Sequence, residues 1–260
     1  MKINLPQAYF SKLMRAVVEF DLIADGDHIL IGLSGGKDSL FLAYGLAVLR
    51  ERLRKEFQLS ALTIDPMFQA DFDIGRLEAF CADLGIPHAF HKVDIAGAIR
   101  SQGGKKACFT CSYFRRGAVN RYAVEHGMNK VAYAHHLDDA VETFLMSILC
   151  SGQLATFLPK TELDRTGITV IRPLVYFRER EMEEAVACHG CSPVKSPCPI
   201  DGKTQRQWAK ELIASLGEEQ KDLFAHLAAA MRWSAMGDLW PAAKTRDEMR
   251  DTYFKYMGKG

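Results

Sequence analysis

The chain has 260 residues, of which 48% are hydrophobic, so it is long enough to bury one good core and its size does not require two domains. Its formal net charge is only +1, which excludes the strong overall positive field of many nucleic-acid-binding proteins. Any contact with a polyanion therefore has to come from a local basic patch.

Short apolar segments alternate with longer amphipathic ones, which predicts an α/β fold: an open parallel sheet with helices on both faces, of Rossmann-like type. An N-terminal helix, about 7–24, precedes the sheet. The predicted strands are 28–33, 59–65, 88–94, 130–135 and 168–174, and the predicted helices between them are 39–55, 72–84, 112–127 and 138–150. A C-terminal helical extension follows, with helices at 178–189, 204–216 and 219–236 and a loop rich in Cys, Pro and Gly at 190–202.

The N-terminal sequence lacks the continuous apolar stretch of a secretory signal peptide. The most hydrophobic helix segment, 40–49, is too short to cross a bilayer. We therefore expect a cytoplasmic protein with no membrane attachment. In that reducing compartment, the seven cysteines predict a metal site or a redox pair in preference to structural disulfides.

The motif Ser34-Gly-Gly-Lys-Asp-Ser39 stands between the first predicted strand and the next helix. Its glycines let backbone N–H groups approach an anion, the helix start favours negative charge, and Lys37 supplies a positive charge. The motif therefore predicts a phosphate-binding loop, although it is not the Walker pattern G-x4-G-K-[ST]. An ordinary glycine turn is the alternative, and the specificity of the full string argues against it.

Three further motifs stand near the ends of predicted strands, where open parallel sheets bind ligands. Asp65 ends the second strand, His135-His-Leu-Asp-Asp139 follows the fourth, and Arg172 lies near the end of the fifth. A carboxylate at such a place can hold Mg²⁺ or a ribose hydroxyl, and the paired aspartates would also cap the following helix. For the two histidines, an ordinary packed or surface position is the alternative.

Cys108 and Cys111 form a C-x2-C pair just before the predicted helix that begins at Ser112. Such a pair can chelate a soft metal or cycle as a dithiol. The helix dipole and the neighbouring Arg115 and Arg116 are expected to favour thiolate there. Two cysteines alone do not complete a metal site.

The remaining cysteines allow two ways to complete that site. A second C-x2-C pair, Cys188 and Cys191, would give a four-Cys zinc site. Cys198 would give a three-cysteine site, which leaves one iron of an iron–sulfur cluster open to an exogenous ligand. Cys81 and Cys150 fall on apolar helix faces and are expected to be core residues.

Four motifs together resemble the tRNA 2-thiocytidine synthetase family of the PP-loop ATP pyrophosphatase superfamily. They are SGGKDS at 34–39, C-x2-C-S-x2-R-R-G at 108–117, AHHLDD at 134–139 and IRPLVYFRE at 171–179. The resemblance extends over about residues 9–210. It implies an N-terminal helix (1–25), a PP-loop ATP-binding domain (26–177) and a C-terminal Cys-containing loop and helical extension (178–260).

The resemblance implies an ATP-dependent sulfurtransferase that adenylates the C2 oxygen of a tRNA cytidine, releases pyrophosphate and replaces that oxygen with sulfur. Lys37 and Asp38 would be catalytic residues of the loop, with Mg²⁺ neutralising charge on the leaving pyrophosphate. The implied ATP-binding residues are Ser34, Gly35, Gly36, Lys37, Asp38, Ser39, Asp65, His135 and Asp139.

The resemblance also implies that Cys108, Cys111 and Cys198 hold a [4Fe-4S] cluster and take part in catalysis. Two departures from the family pattern are present: Asp201 replaces the second cysteine of a P-C-x2-C segment, and Ala134 replaces a glycine. The implied partners are tRNA and a sulfur donor, either a cysteine desulfurase or sulfide, and the family also suggests a homodimer.

A local basic patch is predicted to contact RNA phosphates, with ordinary solvated charge as the alternative. Phe109, Tyr113 and Phe114 are candidates for stacking on an extruded base, or equally for the core. The patch comprises Lys105, Lys106, Arg115, Arg116 and Arg121.

Two other functions remain open from the sequence. One is a PP-loop ligase or sulfurtransferase that acts on a small molecule or a protein thiocarboxylate and carries a structural zinc site. The other is a metal-binding or redox-sensing protein whose loop has lost catalysis, and the intact Lys37, Asp38 and Ser39 argue against it.

Overall fold

The structure is a computed structural model that describes residues 3–69, 73–103, 107–188, 193–194, 198, 204–232, 245–248 and 250. Six strands form one sheet in the order β3-β2-β1-β4-β6-β5. The strands are β1 (His28–Gly32), β2 (Gln58–Asp65), β3 (His88–Lys92), β4 (Lys130–Ala132), β5 (Lys160–Leu163) and β6 (Ile168–Ile171). Every pairing is parallel except that of β5 with β6, which confirms the predicted open α/β sheet with one antiparallel edge strand added.

The described helices are α1 (Gln7–Glu19), α2 (Lys37–Arg52), α3 (Gly75–Asp83), α4 (Ile95–Ser101), α5 (Ala107–Glu125), α6 (Leu137–Ser151), α7 (Glu179–Cys188), α8 (Gln205–Glu219) and α9 (Leu223–Ala230). The main correction concerns α5, which begins five residues earlier than predicted, so the first C-x2-C pair lies inside the helix and not before it. No Gly or Pro interrupts 107–111, and nothing there stops the helix from extending.

Helices cover both faces of the sheet, as predicted. On one face, α2 is buried at every position from Ser39 to Leu49, and it packs in a cluster that includes Phe41 and Phe177. On the other face, α4 and α5 pack over Leu30 and Val131 of the two central strands. Among the described residues, no helix is both long and apolar enough to cross a membrane.

The order in which strands are added to the sheet reverses between the parallel strands β1 and β4. From β1 the chain builds outward through β2 to β3, and from β4 it builds outward the other way to β6. The loops that follow β1 and β4 therefore leave the same edge of the sheet in opposite directions and open a crevice between them. Ligands bind at such a crevice in open α/β sheets.

A buried ion pair lies at the opposite edge of the sheet. Lys130 Nζ is 2.7 Å from Asp27 Oδ2, and both side chains are at least nine-tenths buried. Asp27 also accepts hydrogen bonds from the Ala24 backbone and Asn129, while Lys130 donates to the Leu22 carbonyl. The pair thus ties the segment before β1 to β4.

Substitution of Lys130 by Met should lower the free energy of unfolding by about 3–5 kcal/mol, because it leaves the Asp27 carboxylate buried without its counter-charge. Urea denaturation measures this loss. Arg76→Met is the matched control: it breaks an exposed pair with Asp73 and should cost less than about 1 kcal/mol. Equal losses in the two variants would contradict the expectation.

Candidate nucleotide and sulfur-transfer site

A cavity of about 920 Å³ opens at the crevice between the carboxyl ends of β1 and β4. It brings together residues from the phosphate loop, the first cysteine pair with Cys198, the AHHLDD motif and the segment that follows β6. Its walls include Ser34, Gly36, Asp38 and Ser39 of the phosphate loop, Cys108, Cys111 and Cys198, Arg115 and Arg116, Ala134, His135 and Asp139, and Arg172.

The phosphate loop has the backbone that its glycines predict. Gly35 adopts a φ of +82°, which an L side chain rarely tolerates, and α2 begins after Gly36 with no side-chain cap. Ser34 Oγ accepts from the Gly36 N–H at 3.4 Å and donates to Ser39 Oγ at 3.1 Å. The uncapped helix start can therefore donate its N–H groups to an anion.

Lys37 does not line the cavity, because a carboxylate holds it. Its ammonium is 3.2 Å from Glu179 Oε1 and 3.4 Å from Asp38 Oδ1. Burial alone would lower the pKa of Lys37, but these two carboxylates outweigh it and raise the pKa. Glu179 also pairs with Lys210 of α8, and its backbone N–H donates to Asp138 at 2.8 Å. The sequence did not predict the role of Glu179.

Asp139 of the predicted aspartate pair helps to cap α6, but the N-cap residue itself is His136. Its Nδ1 accepts from the Asp139 N–H at 3.4 Å, while Asp139 Oδ2 accepts from the His136 N–H at 3.0 Å, which forms a reciprocal capping box. The preceding His135 lies at the cavity wall. Burial lowers its pKa to about 4, so the imidazole is neutral near pH 7 and can accept or donate a hydrogen bond without carrying charge.

Arg206 of α8 fastens the C-terminal extension to the site, a role that the sequence did not reveal. Its Nη1 donates to Asp139 Oδ1 at 3.0 Å and to Glu142 Oε2 at 3.3 Å, and its Nη2 donates to the Thr143 hydroxyl at 3.3 Å. Glu142 is almost fully buried beside Asp139. Burial, with the nearby Asp139 charge, raises the pKa of Glu142 to about 7 even though Arg206 opposes the shift.

The three cysteines of the predicted cluster line the same cavity. Cys108 is exposed, whereas Cys111 and Cys198 are half-buried. The expected thiolate is not found at Cys111: burial raises the pKa of its thiol, Arg115 lowers it, and nearby Cys198 and Cys108 raise it. The three cysteines therefore share one cavity, and the other two influence the titration of Cys111.

The predictions for the other cysteines are tested only where the structure describes the residue. Within the described ranges, no three Cys, His, Asp or Glu side chains are close enough to hold a metal ion. Cys188 closes α7, and Cys191 lies outside the described residues, as does Asp201. Cys81 is fully buried, as predicted, but the prediction for Cys150 is wrong, since it is exposed near the end of α6.

Some predicted ligand-binding residues lie away from the cavity wall. Asp65 is buried, and its carboxylate accepts the Met67 N–H at 2.8 Å. In the predicted basic patch, Arg115 and Arg116 line the cavity, Arg121 is exposed further along α5, and the two lysines at 105 and 106 lie outside the described residues.

The aromatic side chains near the cysteines are not core residues. Phe109 and Tyr113 are about 65% and 62% exposed, and their rings stack with centroids 6.4 Å apart. Phe114 is the least exposed of the three, and its ring meets Tyr113 edge-on at 5.7 Å. Their exposure leaves them accessible to an unpaired base.

The cavity has unsatisfied polar atoms on its walls. Burial of such an atom without a partner is costly, so a ligand that pairs with it is stabilised. Five buried atoms of wall residues have no hydrogen-bond partner within the described part of the chain: Asp38 Oδ1, Arg115 Nε, Tyr133 Oη, His135 Nδ1 and Arg172 Nε.

A protein-family model described as a PP-loop domain matches residues 7–215. The tRNA-cytidine(32) 2-sulfurtransferase of Syntrophotalea carbinolica is 34% identical over 221 residues, which cover 84% of this chain and 85% of that protein. The protein of the same name from Geobacter metallireducens is 36% identical over 224 residues, which cover 84% and 86%.

Among solved structures, the U34-tRNA thiolase NcsA from Methanococcus maripaludis, determined with its [4Fe-4S] cluster, is similar to this chain with a TM-score of 0.67. The match covers 86% of this chain and 76% of that chain at 20% sequence identity, so it shows a shared fold.

The fold, the loop after β1 and the matching model define a member of the PP-loop family. Within that family, the chain belongs to the tRNA-cytidine(32) 2-sulfurtransferases, which confirms the resemblance drawn from the four motifs.

The raised pKa of Glu142 makes stability depend on pH. Between its ordinary value of 4.5 and about 7, the folded protein keeps a proton that the unfolded chain has lost, so this carboxyl's contribution to stability falls as pH rises through that range. Glu142→Gln should remove the loss, and the variant should gain stability relative to wild type from pH 5 to pH 8. Urea denaturation at both pH values measures this difference in the free energy of unfolding. The exposed Glu162→Gln is the control. If the free energy of unfolding changes with pH in the same way in wild type and Glu142→Gln, the expectation is wrong.

Proposed function

We propose that this protein uses ATP to activate C2 of the cytidine at position 32 of tRNA and replaces the C2 oxygen with sulfur. One observation carries the proposal: the phosphate loop, three cysteines and the side chains of Arg115, Arg116 and Arg172 line a single cavity. A nucleotide, a sulfur-binding group and a polyanionic substrate can therefore meet there. The names of the similar proteins supply the position of the base.

The first step is adenylation. The cytidine O2 attacks the α-phosphorus of ATP and pyrophosphate leaves, which turns a poor leaving oxygen into a good one. The N–H groups at the start of α2 would hold the departing phosphates. The ammonium of Lys37 would join them once the phosphates replace Glu179 as its partner. Asp38 Oδ1 is buried at the wall, where it accepts no hydrogen bond from a described residue and lies 3.4 Å from the Lys37 ammonium. Its carboxylate suits a Mg²⁺ ion, since carboxylate oxygen is a preferred ligand of that metal.

The second step is sulfur transfer. Sulfide attacks C2, and AMP leaves with the original oxygen, so the bond made is C–S and the bond broken is C–O. A sulfide source, either free sulfide or a cysteine desulfurase, supplies the sulfur. The neutral His135 lines the same cavity and could exchange a hydrogen bond with a reacting group without adding charge.

Cys108, Cys111 and Cys198 fit a [4Fe-4S] cluster with three protein ligands. Each cysteine of a cubane binds a different iron, so the sulfurs are spaced more widely than around a single ion. This agrees with three thiols that share one wall without forming a mononuclear site. When bound, such a cluster supplies an iron with an open coordination position for sulfide.

The function is tested by nucleoside analysis of tRNA. Cells that lack the gene should lose 2-thiocytidine, and purified protein should restore it only with ATP, Mg²⁺ and a sulfide source. Lys37→Ala and Asp38→Ala should lower pyrophosphate release by at least ~100-fold with the fold intact, whereas the exposed Lys92→Ala should not. Identical nucleoside profiles with and without the gene would refute the RNA substrate and leave a small molecule or a protein thiocarboxylate as the acceptor.

The cysteine assignment is tested by iron content. Anaerobically purified protein should hold about four irons per chain. Changing any one of the three cavity cysteines to Ser should remove most of that iron and abolish thiolation, whereas Cys150→Ser, the exposed control, should retain both. Cys188→Ser and Cys191→Ser should also retain the iron. Stoichiometric zinc that is lost on changing either of these two would instead support a four-Cys site.

A further inference from the structure

Three residues at the carboxyl ends of β1, β4 and β6 form one wall of the cavity. The proposed reaction assigns no role to any of them. Ile31 of β1 pairs with Ala132 of β4, and Ala132 pairs with Ile171 of β6. The residues that follow these three, Gly32, Tyr133 and Arg172, therefore stand side by side on the same face. All three line the cavity, on the face of the sheet that α5 covers.

Gly32 leaves room for the Tyr133 ring. A Cβ at Gly32 would lie 2.9 Å from Tyr133 Cε1 and 3.0 Å from Cδ1, closer than real Cβ contacts allow. The ring therefore occupies the space that a side chain at position 32 would fill. The hydroxyl oxygen is buried and has no hydrogen-bond partner within the described chain, so its bonding capacity is unused.

Arg172 is fixed on one side and open on the other. Its Nη1 donates to the Leu158 carbonyl at 2.5 Å and to the Thr161 hydroxyl at 3.2 Å, and its guanidinium lies over the Phe157 ring at 5.0 Å. Its Nε is buried without a hydrogen-bond partner among the described residues. These contacts orient the guanidinium in advance and leave its Nε–H without an acceptor among the described residues.

A second arginine approaches Tyr133 from α5. Burial raises the pKa of the Tyr133 hydroxyl to about 12, and the charges of Arg116 and Arg172 both act to lower it. All three residues line the same cavity. Arg116 is exposed, so it stands toward the cavity mouth. Within the described residues, no carboxylate lies within ion-pair distance of either arginine. The group therefore offers two positive charges and a neutral hydroxyl donor.

We propose that Arg116, Tyr133 and Arg172 bind a phosphate group of the tRNA nucleotide that is thiolated, and so hold the extruded base in the cavity. Paired guanidiniums with a hydroxyl match the charge and the acceptor oxygens of a phosphodiester. A base that leaves its stack carries its own backbone phosphates to the rim of the pocket. The loop at 34–39 lies on a different strand end and is left for the phosphates of ATP. This inference rests on the proposed function.

The test asks whether removing a positive charge from the protein and removing a negative charge from the RNA disrupt the same contact. Two full-length tRNAs are assembled by ligation, each with one neutral methylphosphonate, on the 5′ or the 3′ side of cytidine 32. Thiolation rates are measured with wild type, Arg172→Gln, Arg116→Gln and Tyr133→Phe. Arg54→Gln is the matched control, since this exposed arginine lies at the opposite edge of the sheet.

With unmodified tRNA, Arg172→Gln should lower kcat/KM by ~10- to 100-fold, with ATP affinity and iron content unchanged. One of the two methylphosphonates should lower wild-type kcat/KM by a similar factor and should have little further effect in Arg172→Gln, because both changes remove the same contact. Arg116→Gln and Tyr133→Phe should show the same pattern more weakly. Gly32→Ala, which displaces the Tyr133 ring, should resemble Tyr133→Phe.

Each contrary result identifies what has failed. If both methylphosphonates reduce Arg172→Gln as strongly as wild type, neither phosphate is the partner of these residues and the inference is wrong. If Arg172→Gln weakens ATP binding while leaving the KM for tRNA unchanged, the subsite serves the cosubstrate and the inference is again wrong. If wild type does not thiolate the unmodified tRNA at all, the proposed function itself fails, and the inference falls with it.

Discussion

The parallel pairing of β1 with β4 is the constraint on which the site depends. Register between Ile29–Ile31 and Lys130–Ala132 brings the carboxyl ends of the two strands to one level. The loop after β1 then carries glycines and a lysine, and the loop after β4 carries histidines and carboxylates, so groups about 100 residues apart in the chain meet across a narrow crevice. A register shift of one residue would turn the Tyr133 side chain to the opposite face and remove that wall.

The C-terminal extension is a structural part of this crevice. Arg206 of α8 bonds Asp139, Glu142 and Thr143 of α6, and α7 presents Glu179 to Lys37 and to Lys210. The charges of α2, of α6 and of the C-terminal helices α7 and α8 therefore offset one another at a partly buried site. The balance explains why pKa values at the site move in different directions: burial suppresses charge on His135 and Glu142, whereas paired carboxylates sustain charge on Lys37.

The sequence was sufficient for the features that a local pattern encodes. The apolar run 28–33 and the string at 34–39 predicted β1 and the phosphate loop because a buried strand followed by glycines leaves few other structures open. It missed β5 because an edge strand of sequence KTEL buries little apolar surface and lacks a strand-like run. It also missed α4, whose seven residues are too few to show helical periodicity.

Contacts between residues that are far apart in the chain were the hardest features to predict from the sequence. Nothing around Arg206 or Glu179 distinguishes them from other charged residues on amphipathic helices, and only tertiary packing shows that one contacts Asp139 and the other Lys37. The raised pKa of Cys111 is a similar case. The adjacent arginines and helix start argued for thiolate, but the degree of burial, which depends on how α5 packs, decides the sign.

The contact between Lys37 and Glu179 has a consequence for which anions the loop accepts. The Lys37 ammonium already has a carboxylate partner 3.2 Å away. The binding free energy of an incoming anion therefore includes only the difference between its contact with the ammonium and the contact that it replaces. A singly charged ion such as chloride gains almost nothing from that exchange. A polyphosphate brings several charges and many acceptor oxygens, and it can bond the helix N–H groups at the same time. In the proposed ATP site, the pairing of Lys37 with Glu179 would therefore favour a polyphosphate over a monovalent anion.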